Sequence, residues 1–243
     1  MKNDKMPLHL NIKADILSKI KSGVYKENEI IPSEMDLAEE YKVSRPTIRQ
    51  AIQGLVNEGY LERKKRKGTI VIRKKIPQEF TNILQSYNNE IKGKGLEPKT
   101  KVISCKLEEA SNEVCDKLNL KEGESVYKIV RLRYAGDDPV VFVITYIKAD
   151  ILPEFLKHNF TKESIYNVLS SYNFPIISIT RYLEVMKADE STSVLLDIEM
   201  GDPIFRFISI GHTYNRNPIE YSIAKYRGDL NSFVIEIDNS KNV

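Results

Sequence analysis

The chain has 243 residues, 41% hydrophobic and 29% charged, and its 37 basic and 34 acidic side chains leave a formal net charge of +3. That length holds one large domain or two small ones, and the balance excludes collagen-like and intrinsically disordered chains. The two cysteines, Cys105 and Cys115, cannot build a disulfide scaffold, and free thiols fit a reducing cytosol. The longest unbroken apolar run, Val140–Ile144, is far short of the ~18 residues of a membrane span, and the Met1–Asp4 start lacks the apolar core of a signal peptide. A cytoplasmic, membrane-free protein is expected.

The modest net charge hides a split. Residues 1–77 hold 17 basic against 10 acidic side chains, +7, and the remainder 20 against 24, −4. Eight basic residues and no acid fall between Arg63 and Lys75, interrupted by Gly68 and the β-branched Thr69-Ile70-Val71-Ile72. A solvated tail is the plain reading of such a run, but β-branched residues after a glycine make a hairpin, and a basic hairpin suits phosphates.

Pro7 opens a helical stretch with Leu10, Ile12, Ile16, Leu17 and Ile20 as its apolar stripe and Gly23 as its stop. Ser33 with Asp36 makes a capping-box variant before a short helix that buries Leu37, Ala38 and Tyr41. After a brief turn at Lys42-Val43, Ser44 caps a third helix with Pro46 in its first turn and Gly59 beyond its end. Ile48, Ala51, Ile52, Leu55 and Val56 form its core stripe, which leaves Arg45, Thr47, Arg49, Gln50 and Gln53 outward. These side chains can bond phosphates or base edges, arginine gripping guanine through two parallel hydrogen bonds. Two helices joined by a tight turn, followed by a basic hairpin, describe a winged helix-turn-helix.

Ile31-Pro32-Ser33-Glu34, Leu37-Ala38-Glu39-Glu40-Tyr41, Val43 to Ala51, Gly59 to Arg63 and Lys67-Gly68-Thr69 closely resemble the DNA-binding domain of GntR-family bacterial transcription regulators. The resemblance implies DNA contacts from Ser44, Arg45, Thr47, Arg49, Lys67, Gly68 and Thr69, and Ser33, Gln50 and Lys65 complete the expected set. Where the family usually has arginine after Pro-Ser-Glu, this chain has Met35, so one family contact to the operator is missing.

Pro77 and the change of charge sign place a linker at residues 76–82, between a DNA-binding domain of residues 1–75 and a second domain of residues 83–243. The second domain is similar to itself at an offset of 78: Ala110 to Val130 (Ala-x-x-x-Val-x-x-x-Leu-x-Leu-x-x-Gly-Glu-x-Val-Tyr-Lys-Ile-Val) is matched from Ala188 onward. A short helix, a turn at Gly123 or Gly201 and a strand occur twice, and after one inserted residue Asp137-Asp138-Pro139 matches Asn215-Arg216-Asn217-Pro218 as a hairpin turn. The economical arrangement is an α+β domain, one antiparallel sheet with helices over one face.

Ser164-Ile165-Tyr166, Arg131-Leu132-Arg133 and the run from Glu220 to Asp229 resemble the UTRA effector-binding domain of the HutC subfamily of GntR regulators, which has a chorismate-lyase-like fold. Arg131 and Arg133 lie two apart on one strand and so share a face. Their spacing alone leaves open a surface pair met by carboxylates; the resemblance implies that they hold an acidic or phosphorylated effector. The same resemblance extends the effector set to Ser86, Asn88 and Ser164, whose other reading is as helix caps, and to Glu220 and Tyr226 at the sugar end. Val143 and Ile144 stand where relatives often have glutamate and arginine, which argues against amino-sugar recognition.

His9, His158 and His212 are scattered and lack metal-ligand spacing, and no Gly-rich phosphate loop, serine elbow or zinc pattern occurs. Neither a cofactor nor a metal nor catalysis is expected. The resulting expectation is a homodimeric regulator, more a repressor than an activator, released from a near-palindromic DNA operator by a small anionic metabolite, a sugar phosphate above all. Rival readings are a lyase- or hydrolase-like enzyme tethered to DNA and an architectural DNA-binding protein. The effector's identity, the operator sequence and the regulated genes lie beyond sequence reading.

Overall fold

The computed structural model describes residues 7–72, 75–79 and 86–237 and divides into two compact units, Met1–Lys75 and Ile76–Val243. Arg73 and Lys74 of the basic run and residues 80–82 of the expected linker lie outside the described residues.

Unit 1 carries α1 (Leu8–Lys21), α2 (Glu34–Glu40) and α3 (Arg45–Asn57), then β1 (Leu61–Lys64) and β2 (Gly68–Val71). On α1 the buried side chains are Ile12 and Ile16, with Leu17 and Ile20 packed beside them. Leu10, expected in that stripe, is exposed, because two residues back from Ile12 is about 200° around the helix. The box before α2 closes in both directions, Asp36 N–H donating to Ser33 Oγ at 3.2 Å and Ser33 N–H to Asp36 Oδ2 at 3.1 Å, a device worth about 1 kcal/mol. Lys42 takes a left-handed φ of 52° in the turn before α3. Ser44 occupies the N-cap position of α3 without a side-chain capping bond; its hydroxyl lies 2.8 Å from that of Thr47 instead. Ile48, Ala51, Ile52 and Leu55 bury the inner face of α3 against Ile12, Ile16, Leu37, Leu61 and Val71.

The wing is tied at its base. β1 and β2 pair from Leu61↔Val71 to Lys64↔Gly68, and the segment before α2 adds Ile31 N–H to Thr69 O and Val71 N–H to Glu29 O, both at 2.9 Å. Gly68 has φ 111°, a conformation costly for any residue with a Cβ.

Unit 2 is built on six antiparallel strands in the order β4-β5-β6-β9-β8-β7: β4 (Pro98–Glu109), β5 (Ser125–Ala135), β6 (Asp138–Lys148), β7 (Ser178–Lys187), β8 (Pro203–His212) and β9 (Pro218–Arg227). The repeat is visible bond for bond. α5 (Asn112–Leu118) and α7 (Glu190–Leu196) are capped by Ser111 and Asp189 and end at left-handed Asn119 and Asp197. Ala110 N–H donates to Glu124 O at 2.9 Å and Ala188 N–H to Asp202 O at 2.8 Å. The structural repeat is longer than its sequence signal, since β4 and β7 precede the two matching helices. Its halves, β4-β5-β6 and β7-β8-β9, meet at the β6–β9 pair.

Two expectations are corrected. Helices cover both faces of the sheet, because both carry apolar residues. α5 packs with Tyr146, Ile208, Tyr221 and Ile223, whereas α6 (Ile165–Ser171) and α4 (Tyr87–Gly93) pack on the opposite face with Ile129 and Ile147 and with Val141, Phe207 and Tyr226. The expected linker is not all linker either: Ile76–Gln78 forms β3, which pairs in parallel with β10 (Asn231–Phe233). Buried Gln78 and Asn231 join side chains across that pair, Gln78 Nε2 donating to Asn231 Oδ1 at 2.8 Å, a contact deep in the unit that makes these residues part of its core.

Candidate DNA-binding surface and ligand cavity

In unit 1 the exposed side of α3 presents Arg45, Arg49 and Gln50, with Lys65, Lys67 and Gly68 exposed at the wing and Thr69 half-buried. Ser33 Oγ is engaged by Asp36, donating to its Oδ2 at 2.7 Å, so Ser33 is primarily a cap. Sequence reasoning passed over Glu34. Its carboxylate accepts from Arg49 Nε at 3.1 Å and from Arg63 Nη2 at 3.0 Å, tying the third helix to the wing and aiming Arg49. Met35, where the family pattern has arginine, is exposed.

Unit 2 contains a cavity of about 110 Å³ on the sheet face covered by α4 and α6, and Ser86, Asn88, Arg131, Arg133, Ser164, Glu220 and Tyr226 all line it. Arg131 and Arg133 project from β5 onto that face. Arg131 is 5% exposed; its Nη2 donates to Thr145 Oγ1 at 3.2 Å, and its Nε has no hydrogen-bond partner. The Arg133 guanidinium lies over the Tyr87 ring at 5.0 Å, and neither its Nε nor the Tyr87 hydroxyl is partnered. Among the described residues no carboxylate forms an ion pair with either arginine. Burial first, then the charge of Arg133, pushes the Arg131 guanidinium well below its ordinary pKa, with Glu220 pulling the other way. Burial also raises the Tyr87, Tyr166 and Tyr226 hydroxyls, keeping them neutral donors.

Ser86 serves the cavity wall and a cap together, accepting from Asn89 N–H at 3.3 Å. Ser164 stands at the N-cap position of α6 without a side-chain capping bond. Glu220 is buried and its Oε2 has no hydrogen-bond partner. Burial raises its carboxyl, opposed by the charges of Arg181 and Arg131 and by the Tyr166 and Ser222 hydroxyls. The cavity residues that sequence reasoning missed are Arg181 from β7, Tyr87 from α4 and the row Thr145, Ser222 and Ser209. The other wall carboxylates are committed elsewhere, Glu90 to Lys94 Nζ at 3.2 Å and Glu163 to His158 Nδ1 at 2.9 Å.

Among the described residues no group of three or more His, Cys, Asp or Glu could hold a metal ion, and no helix is long and apolar enough to cross a membrane. A winged helix-turn-helix and a separate unit enclosing a cationic small-molecule cavity define a ligand-responsive DNA-binding regulator. Residues 8–71 match the model of bacterial regulatory proteins of the gntR family, and residues 93–230 match that of the UTRA domain. The chain is 31% identical over 238 residues to the HTH-type transcriptional repressor NagR of Bacillus subtilis, covering 98% of this chain and 97% of that one. It is 30% identical over 199 residues to the histidine utilization repressor of Pseudomonas aeruginosa, covering 81% of this chain and 78% of the other. The crystal structure of PhnF from Mycobacterium smegmatis superposes with a TM-score of 0.76 at 22% identity, covering 96% of this chain and 99% of that one, a likeness of fold. The chain therefore belongs to the GntR family, as a HutC-type regulator with a UTRA domain. Its relatives are named transcriptional regulators and repressors, so the protein is a DNA-binding regulator and not an enzyme.

Proposed function

We propose that the protein is a homodimeric cytoplasmic repressor that leaves a near-palindromic operator when a sugar phosphate fills the cavity of unit 2. The observation that carries this reading is the pair Arg131 and Arg133, lining one cavity with two Nε atoms unpartnered. Two neighbouring guanidiniums, one buried and one half-buried, repel until an anion stands between them, and a phosphate accepts from both. A dimer supports operator recognition because two third helices can then enter successive major grooves about 34 Å apart. Arg45, Arg49 and Gln50 would meet base edges or phosphates there, with Lys65, Lys67, Gly68 and Thr69 on the backbone. The anion must bind the released state better than the bound state; a coupling of ~1–3 kcal/mol changes operator affinity about 5–150-fold. Among the relatives, one is named a probable fructoselysine utilization operon repressor and another a histidine utilization repressor, so small metabolites of differing chemistry fit the family.

The test is a panel of sugar phosphates and small organic acids, read by operator release in a gel shift and by melting temperature. A sugar phosphate is expected to release the wild-type protein from DNA and to leave an Arg131→Met/Arg133→Met double variant bound. Release of the double variant at the same concentration would move the anion site elsewhere.

A further inference from the structure

The two repeats furnish the cavity unequally. At the offset of 78, Arg131 and Arg133 correspond to Ser209 and Gly211. Ser209 Oγ accepts from Nη1 of Arg181 at 3.5 Å, with Arg181 opposite it on the edge strand β7. Gly211 is opposite Glu220 on β9, and a Cβ at Gly211 would stand 2.7 Å from Glu220 Oε2. The missing side chain thus lets the Glu220 carboxylate lie over β8, beside the Arg181–Ser209 pair. Arg131 and Arg133 sit on β5, with β6 and β9 between. Thr145, Ser222 and Ser209 follow one another in register across those central strands. Arg131 donates to the first of these hydroxyls and Arg181 to the last.

The unpartnered buried atoms of the cavity lining differ from side to side. On the β5 side each can donate, Nε of Arg131 and of Arg133 and the Tyr87 hydroxyl; over β8 it is a carboxylate oxygen, Glu220 Oε2. An ionised carboxylate only accepts and a guanidinium only donates, so the β8 side offers a ligand both kinds of group at once. A ligand carboxylate there would face Glu220, and a ligand ammonium would face Arg181. A hydroxyl both donates and accepts and suits the pair. Charge points the same way. Arg131, Arg133 and Arg181 line the cavity with Glu220, while Glu90 and Glu163 turn to Lys94 Nζ and His158 Nδ1. With Lys94 counted, the cationic side chains outnumber the carboxylates there, which suits the roughly −1.5 to −2 of one phosphomonoester.

We propose that Arg181 determines specificity, reading with Glu220 the hydroxyls of a neutral polyol, so that the effector is the phosphomonoester of a neutral sugar and not of a free-amine sugar or a sugar acid. This rests on the anion site at Arg131 and Arg133. Calorimetric titration of the full-length protein would compare inorganic phosphate, the 6-phosphates of glucose, fructose and mannose, glucosamine 6-phosphate and 6-phosphogluconate. At least one neutral sugar phosphate should bind at least tenfold more tightly than inorganic phosphate and than both charged analogues. Arg181→Met should bring that ligand down to the level of inorganic phosphate, with a smaller loss of affinity for inorganic phosphate itself. Arg181→Glu, placing a second acid beside Glu220, should move the preference toward glucosamine 6-phosphate. Tightest binding by the amine or the acid, or an Arg181→Met variant with an unchanged ranking, overturns the proposal. If inorganic phosphate binds and the neutral sugars add nothing, this inference alone falls. If inorganic phosphate does not bind, the anion site falls with it.

Discussion

Both units gather arginines, and they treat them in opposite ways. In unit 1 Arg49 and Arg63 are exposed and share the carboxylate of Glu34. In unit 2 Arg131 and Arg133 line a cavity with no carboxylate ion pair to either among the described residues, although the chain is acidic overall beyond Pro77. Solvent explains the difference. An exposed cation costs little to hold ready for a polyanion, and a neighbouring acid fixes its direction at small loss. A buried cation left without an anion carries most of its desolvation cost into the unliganded state, and that cost is relieved when an anion arrives. The first arrangement suits a surface that binds by many weak contacts, the second a switch that responds to one molecule.

The strongest way to break this contrast is to remove the buried charges. Arg131→Met with Arg133→Met deletes at least two charge-assisted hydrogen bonds to an anion, each worth about 1.5–3 kcal/mol, so affinity for inorganic phosphate should fall 100-fold or more. The unliganded variant should melt no lower than wild type, because a buried and a half-buried like charge give way to apolar side chains. A marked loss of stability would mean that the arginines are structural. Arg49→Ala tests the exposed side. It should reduce discrimination between operator and unrelated DNA by about 1–3 kcal/mol, roughly 5–150-fold, while the anion-induced rise in melting temperature stays as it was. Unchanged footprinting would remove Arg49 from the recognition surface. Smaller again is the effect of Lys65→Ala with Lys67→Ala, which should lower the salt slope of DNA binding by up to about one unit per lost phosphate contact. A constant slope would mean that the wing stays off the backbone.

The same contrast governs how much could be read before the structure. Periodicity located α1, α2 and α3, because each buries one stripe against a single core; it erred at Leu10, which is apolar and exposed. The repeat in unit 2 was legible because caps, left-handed turns and buried leucines recur at fixed spacing. Arg131 and Arg133 stood out as a like-charged pair inside an apolar strand. Arg181 did not. β7 is an edge strand whose side chains are mostly exposed, so no alternation marks which of its charges turns inward. Glu34 was read as part of a motif, since nothing local signals that one carboxylate meets two arginines 15 and 29 residues away. The β3–β10 pair joins three-residue strands whose buried amides lie 153 residues apart, a contact that no window along the chain contains.

The gentlest test uses a charge that is exposed and fully partnered. Asp189 and Ser111 cap equivalent helices of the two repeats, α7 and α5. Asp189 also pairs with Lys225 at 2.9 Å. Its hydrogen bonds, to Thr192 above all and then to Lys225, hold its carboxyl well below the usual carboxylate range. A carboxyl whose folded pKa lies below its unfolded value, near 3.9, stabilises the fold above that value and loses the contribution as pH falls through the lower, folded one. Asp189→Ser keeps a hydroxyl able to cap, as Ser111 does, and removes only the charge. At pH 7 the variant should melt lower by roughly 1–3 °C, the size expected of a half-exposed ion pair in a domain of this length. The gap should narrow as pH drops below about 4, where the carboxyl of the unfolded chain takes up a proton that the folded one still resists. A gap that stays constant down to pH 2 would assign the difference to packing at the cap, and would leave the buried, unpaired arginines as the charges whose partners matter to this fold.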